Sequence, residues 1–155
     1  MTSFLLMLHA LAAVALLGAI SHQCVASWRS VPGSDAPSFV QRFGSVTARA
    51  YATPIVVLYV TSFLIGCVLY ADYRIGVRPI LESAGEMLIL AFFEAKEHLA
   101  VYGLGLLPGY WVLWTRQDFA HAYGVRRIVT TLLAFFVWWG FLTGLFVNNV
   151  VGMPA

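Results

Sequence analysis

Across 155 residues the chain is 61% hydrophobic and only 10% charged, whereas a soluble domain carries about 25% charged residues. So few charges cannot cover a water-facing surface, which excludes a soluble domain and leaves an integral membrane protein with little mass outside the bilayer. The net charge of +2 gives no sign of a nucleic-acid partner.

Four apolar spans follow in chain order, at roughly residues 3–28, 52–70, 84–115 and 125–151. Each reaches the length of about 20 residues that a helix needs to cross the hydrocarbon. Runs this long do not alternate as barrel strands do. The expected fold is one all-α domain, a four-transmembrane-helix bundle.

The first span opens on MTSFLLMLHA without a Lys or Arg, so it reads as a retained helix and not as a signal peptide. It holds His9 in one half and His22 near the other end. An intramembrane histidine without a local polar partner is a functional position by default, though a ring bonded to a neighbouring carbonyl is the bland alternative. The two histidines differ in depth by about 20 Å, and only His98 could match them from a second helix, so a pair of bis-histidine haems is not expected. Cys24 and Cys67 also differ in depth by roughly 20 Å and should not pair. In the first loop Val31-Pro32-Gly33 marks a turn. From Ser38 to Arg49, Phe39, Val40, Phe43 and Val46 share a face, which suits a short surface helix; an irregular loop fits as well.

The second span ends in YADYRIGVRP. Arg74 and Arg78 there could hold haem propionates or the acidic patch of a partner. Equally, the segment could be a turn with a single Asp72–Arg74 contact.

The third span carries AFFEAKEHLAVY, four ionisable groups in an oily run. At 100° per residue Glu86, Glu94, Glu97 and His98 share an arc of about 120°, with Lys96 off it. A charge near the bilayer centre costs about 2.5–3.5 kcal/mol, so the cluster is expected to face the bundle interior. His9, Glu94 and His98 are candidate metal ligands, since carboxylate–histidine pairs ligate metals in bundle cores. Neutral imidazole from His9 or His98 suits haem iron equally. Lys96 and Glu97 are the candidate catalytic groups. They could instead form an internal ion pair that sets helix packing, or the membrane portion could begin only at Leu99. With the spans centred alike, His9 and Lys96 differ in depth by about 5 Å, which places a site between the first and third helices.

Gly103 and Gly105 in the third span, and Gly140 and Gly144 in the fourth, would permit close backbone approach, and Pro108 should bend the third helix. His121 reads as a solvated loop residue. Arg29, Arg42 and Arg49 in the first loop, and Arg116, Arg126 and Arg127 around the third, stand against Arg74 and Arg78 in the second. Six against two puts the first and third loops in the cytoplasm and both termini outside, N-out and C-out. Trp28, Tyr70, Trp111 and Trp114 lie near span ends, as interfacial anchors do.

The stretch LLMLHALAAVALLGA, with His9 followed nine residues later by Gly18, resembles the opening helix of the copper-resistance-D and HemJ-type protoporphyrinogen oxidase group of four-helix membrane proteins. ARAYATPIVVLYVTSFLIG resembles their second helix, and AKEHLAVYGLGLL places Lys96 where the HemJ-type third helix has a lysine. The resemblance implies that His9 and Lys96 are essential and that haem b is bound. The chain lacks the Trp, Phe and Pro-Arg exit of the HemJ-type first helix, and Glu94, Glu97 and His98 stand outside the pattern. The expectation is therefore a haem-, metal- or quinone-handling relative in a bacterial inner membrane. It would be a redox protein or redox-complex subunit with haem b or a transition metal between helices one and three, working among other membrane subunits. The alternative is a non-catalytic accessory subunit that stabilises a larger electron-transfer complex.

Overall fold

The computed structural model describes residues 2–28, 48–119 and 121–151, and the described residues are helical with no strand. Helix α1 spans Thr2–Trp28, a 3-10 turn Ala48–Tyr51 leads into α2, Ala52–Asp72, and a π turn, Tyr73–Val77, continues into the short α3, Arg78–Ser83. Helix α4 spans Met87–Thr115, and α5 spans Tyr123–Val151 after a second 3-10 turn at Gln117–Phe119. The surface helix expected from Ser38 falls almost entirely outside the described residues.

Local chemistry explains the boundaries. Pro54 sits in the first turn of α2, where its missing N–H has no intrahelical acceptor to lose. The stretch after α2 is not the turn expected from YADYRIGVRP. Tyr73, Val77 and Leu81 recur every four residues, and all three are buried with Ile89, Leu90 and Val147. Packing that stripe keeps the chain helical through the π turn, and the chain reverses only at Gly85, whose φ of 74° is left-handed. The Asp72–Arg74 contact does not form; Arg74 Nη1 lies 3.5 Å from the Tyr70 hydroxyl instead.

Three segments, Ser3–Trp28, Ala48–Ser83 and Tyr123–Asn149, are helices long and apolar enough to cross a membrane. Large apolar side chains such as Phe4, Leu11, Val57, Leu64, Val68, Phe135 and Leu142 are exposed along them. Each such side chain left in water forgoes about 1.5–3 kcal/mol of burial, so this surface belongs in lipid and the chain is a membrane protein. Helix α4 is as long as its neighbours but falls outside that set, because Glu94, Lys96 and Glu97 interrupt its first half.

The long helices form a four-cornered bundle. Helix α1 packs on α2 and α5, α4 packs on α5 and α2, and α1 and α4 stand diagonally opposite. One end is filled by Leu16, Ile20, Ile55, Tyr59, Leu107, Tyr110, Leu133 and Val137. Gln23 is fully buried there; its amide donates to the Ala48 carbonyl at 2.8 Å and its oxygen accepts from the Tyr110 hydroxyl. A buried amide left unpaired would cost about 1–3 kcal/mol, so this network fixes how the chain turns into α2. The opposite end holds the cluster of Tyr73, Val77, Leu81, Ile89, Leu90 and Val147. Between the two apolar clusters lies the level of His9 and Lys96.

Candidate functional site

Helix α1 turns His9 toward α2. A Cβ at Gly66 would lie 3.4 Å from His9 Cε1, so the imidazole packs directly over this glycine of α2, at van der Waals distance from any side chain placed there. The Ser62 backbone, one turn earlier on the same face of α2, is within hydrogen-bonding reach of the ring. His9 Nδ1 is nevertheless buried with no hydrogen-bond partner.

Lys96 enters from the diagonal corner. Its stem runs along α5, with Cγ 4.0 Å from a Cβ built at Gly140 and Nζ 3.9 Å from one built at Gly144. The G-x-x-x-G stripe of α5 thus receives a lysine side chain rather than a helix backbone. Nζ lies 4.7 Å from the centroid of the Phe93 ring. That ring stacks on Tyr73 with centroids 3.8 Å apart, and Tyr73 in turn stacks on Tyr70 at 6.1 Å. No ion pair involves Lys96 among the described residues. The Lys96–Glu97 pair is therefore not made at contact distance, although Glu97, half-buried on the next position, remains within Coulombic reach. Lys96 is also within Coulombic reach of His9 across the bundle.

The other charged groups face the opposite way. Glu86, Glu94 and His98 are exposed, which corrects the expectation that their arc turns inward. Helical periodicity groups residues on a face without saying which face is inside. Here the Gly140–Gly144 face of α5 takes Lys96, Glu97 stays half-buried, and Glu86, Glu94 and His98 are left on the outside. Arg78 bonds Glu82 at 2.8 Å and Glu94 at 3.3 Å, tying α3 to α4 and leaving its guanidinium engaged. Such half-exposed pairs are screened by solvent and add little to stability. His98 Nδ1 lies 2.7 Å from the Glu94 backbone oxygen, which can only accept, so Nδ1 donates. His9, Glu94 and His98 are thus not assembled as metal ligands, and among the described residues no group of three or more His, Cys, Asp or Glu side chains is gathered to hold an ion. Arg74 is exposed beside Tyr70.

Of the residues singled out from the sequence, the bundle brings together His9 and Lys96, with Glu97 at the edge. Tyr73, from the YADYRIGVRP stretch, joins them through Phe93, and Ser62, Gly66 and Phe93 complete the surroundings and were not among them. One signal was available: Tyr59, Ser62 and Gly66 fall at i, i+3 and i+7, a polar and small face on an otherwise oily helix. His22, at the other end, stacks on Tyr51 with ring centroids 4.7 Å apart, and His121 is exposed. Cys24 and Cys67 are free.

Comparison of the chain with protein-family models, with curated proteins and with solved structures finds no match.

Proposed function

We propose that the chain is an integral membrane redox protein, or the subunit of a membrane redox complex, whose working site is the His9–Lys96 level of the bundle. The carrying observation is a buried imidazole nitrogen without a partner, on the same level as an ammonium without a carboxylate. An ammonium near the bilayer centre costs about 2.5–3.5 kcal/mol, and a buried polar atom without a hydrogen bond about 1–3 kcal/mol. The Phe93 ring beside Lys96 offsets only about 1 kcal/mol of this.

The donor set would suit a haem b held by one histidine better than a metal ion that needs three side-chain ligands. His9 would hold the iron and Lys96 would neutralise a propionate. Bound there, haem would supply one-electron chemistry, and the apolar clusters on either side would keep water out. Arg78, committed to Glu82 and Glu94, is not part of this set. Protein purified in mild detergent is expected to show a Soret band that His9→Ala abolishes and His98→Ala leaves in place. Colourless protein with no bound metal would sink the proposal and leave the accessory-subunit reading, in which α4 docks on a partner chain.

The same proposal includes α4 as a fourth span, with both termini outside the cytoplasm of a bacterial inner membrane. Its support is the arginine asymmetry of the loops. Single cysteines placed at Gly76 and at Asp118, in a background with Cys24 and Cys67 replaced, should label from outside and from inside respectively. The reverse pattern overturns the orientation, and labelling of both from one side overturns the fourth span.

A further inference from the structure

At the end of the bundle where α1 and α4 finish and α2 and α5 begin, arginines cap the helices. Arg49 Nη2 donates to the Thr115 carbonyl, the last residue of α4. Arg126 Nε donates to the Leu113 carbonyl at 2.7 Å, with its guanidinium 5.2 Å from the Trp114 ring. Arg127 Nε donates to the Ser27 carbonyl at 2.8 Å and lies over Trp28. Arg116, directly after α4, is exposed. The last carbonyls of a helix lack intrahelical donors and carry partial negative charge, so these contacts are caps. A guanidinium has five N–H donors, and each cap uses one. Among the described residues none of these arginines is paired with a carboxylate. The acid nearest in sequence to Arg116, Arg126 and Arg127 is Asp118, one negative charge against these three.

An apolar groove of about 460 Å³ lies below this charge, lined by Val56 and Val60 of α2 and by Leu104, Leu107, Pro108 and Trp111 of α4. At 1.5 Å per residue Val56 and Val60 lie roughly 10–17 Å along the chain from Arg49. Pro108 and Trp111 lie roughly 6–11 Å back from Thr115. Positive charge at helix ends flanked by Trp28, Trp111 and Trp114 marks the head-group level, and the groove descends from it into the hydrocarbon. We propose that this is a seat for one anionic phospholipid, its phosphate on Arg49 with Arg116 and Arg126 adding charge, and one acyl chain in the α2–α4 groove. Charge and groove in this order fit a lipid. A free phosphate would use the arginines and leave the groove idle.

The test reads lipid retention by native mass spectrometry after extraction from nanodiscs of phosphatidylcholine with or without phosphatidylglycerol. Wild-type protein should keep phosphatidylglycerol in preference to phosphatidylcholine. Arg49→Gln, which still offers a donor to Thr115, should weaken that retention about fivefold, the expected share of one interfacial arginine. Arg49→Lys should largely restore it, and Val60→Trp, which fills the groove, should lower it with every arginine in place. Equal retention of the two lipids, undiminished retention in Arg49→Gln, or displacement of the lipid by inorganic phosphate at matched ionic strength would each overturn the seat. Should Arg49→Gln fail to fold, the wild-type lipid preference and Val60→Trp still decide.

Discussion

Replacing Lys96 by Met is expected to stabilise the bundle by about 2 kcal/mol while removing its ability to retain a cofactor. Three terms set the sign. With α4 as the proposed fourth span, removing an ammonium from near the bilayer centre relieves about 2.5–3.5 kcal/mol. Losing the contact with Phe93, 4.7 Å from Nζ, gives back about 1 kcal/mol. The thioether of Met fills the same path along Gly140 and Gly144 as the lysine stem, so no cavity opens. A stabilising change that removes function is the usual sign of a strained working site. The measurement is reversible unfolding in mixed micelles, paired with the visible spectrum. Glu97→Gln closes a double-mutant cycle. With Glu97 within Coulombic reach but no ion pair at contact distance, the coupling should be about 0.5–1 kcal/mol, well short of a buried pair. A loss of 3–5 kcal/mol in Lys96→Met, recovered in the double variant, would instead reveal a buried pair.

Gly103→Ala is expected to destabilise the bundle by about 2–4 kcal/mol. A Cβ there would lie 2.0 Å from the Tyr59 hydroxyl oxygen and 2.7 Å from Cζ. Tyr59 cannot yield cheaply, since it is buried and its hydroxyl donates to the Ala100 carbonyl at 3.0 Å. Overpacking costs roughly 1–3 kcal/mol, and the stranded hydrogen bond adds about 1 kcal/mol. The neighbouring Gly105 supplies the control, because a Cβ there meets nothing within 4 Å. Gly105→Ala should be neutral or stabilising by up to about 1 kcal/mol, as a helix interior prefers alanine. In a Tyr59→Leu background the penalty at Gly103 should largely vanish. Equal effects at the two glycines would mean that α2 and α4 do not meet through Tyr59.

The two glycines show what kind of information a sequence holds. Both read as places for close helix approach, and only one is. Composition and run length determined that this is a helical membrane chain, because lipid tolerates no other backbone arrangement over such runs. They also determined that His9 and Lys96 lie at similar depth, since rise per residue is constant along a helix. Direction around the helix axis is another matter. In α4 the carboxylates and His98 share one arc and Lys96 lies off it, and nothing local says which side faces in. The tertiary structure decided that by shape. The Lys96 stem packs over Gly140 and Gly144, the His9 imidazole packs over Gly66, and Arg78, held on α3 by a π turn, pairs with Glu94 on the outside. The depth of each group was written in its own helix. Its facing was set by what the neighbouring helices present to it.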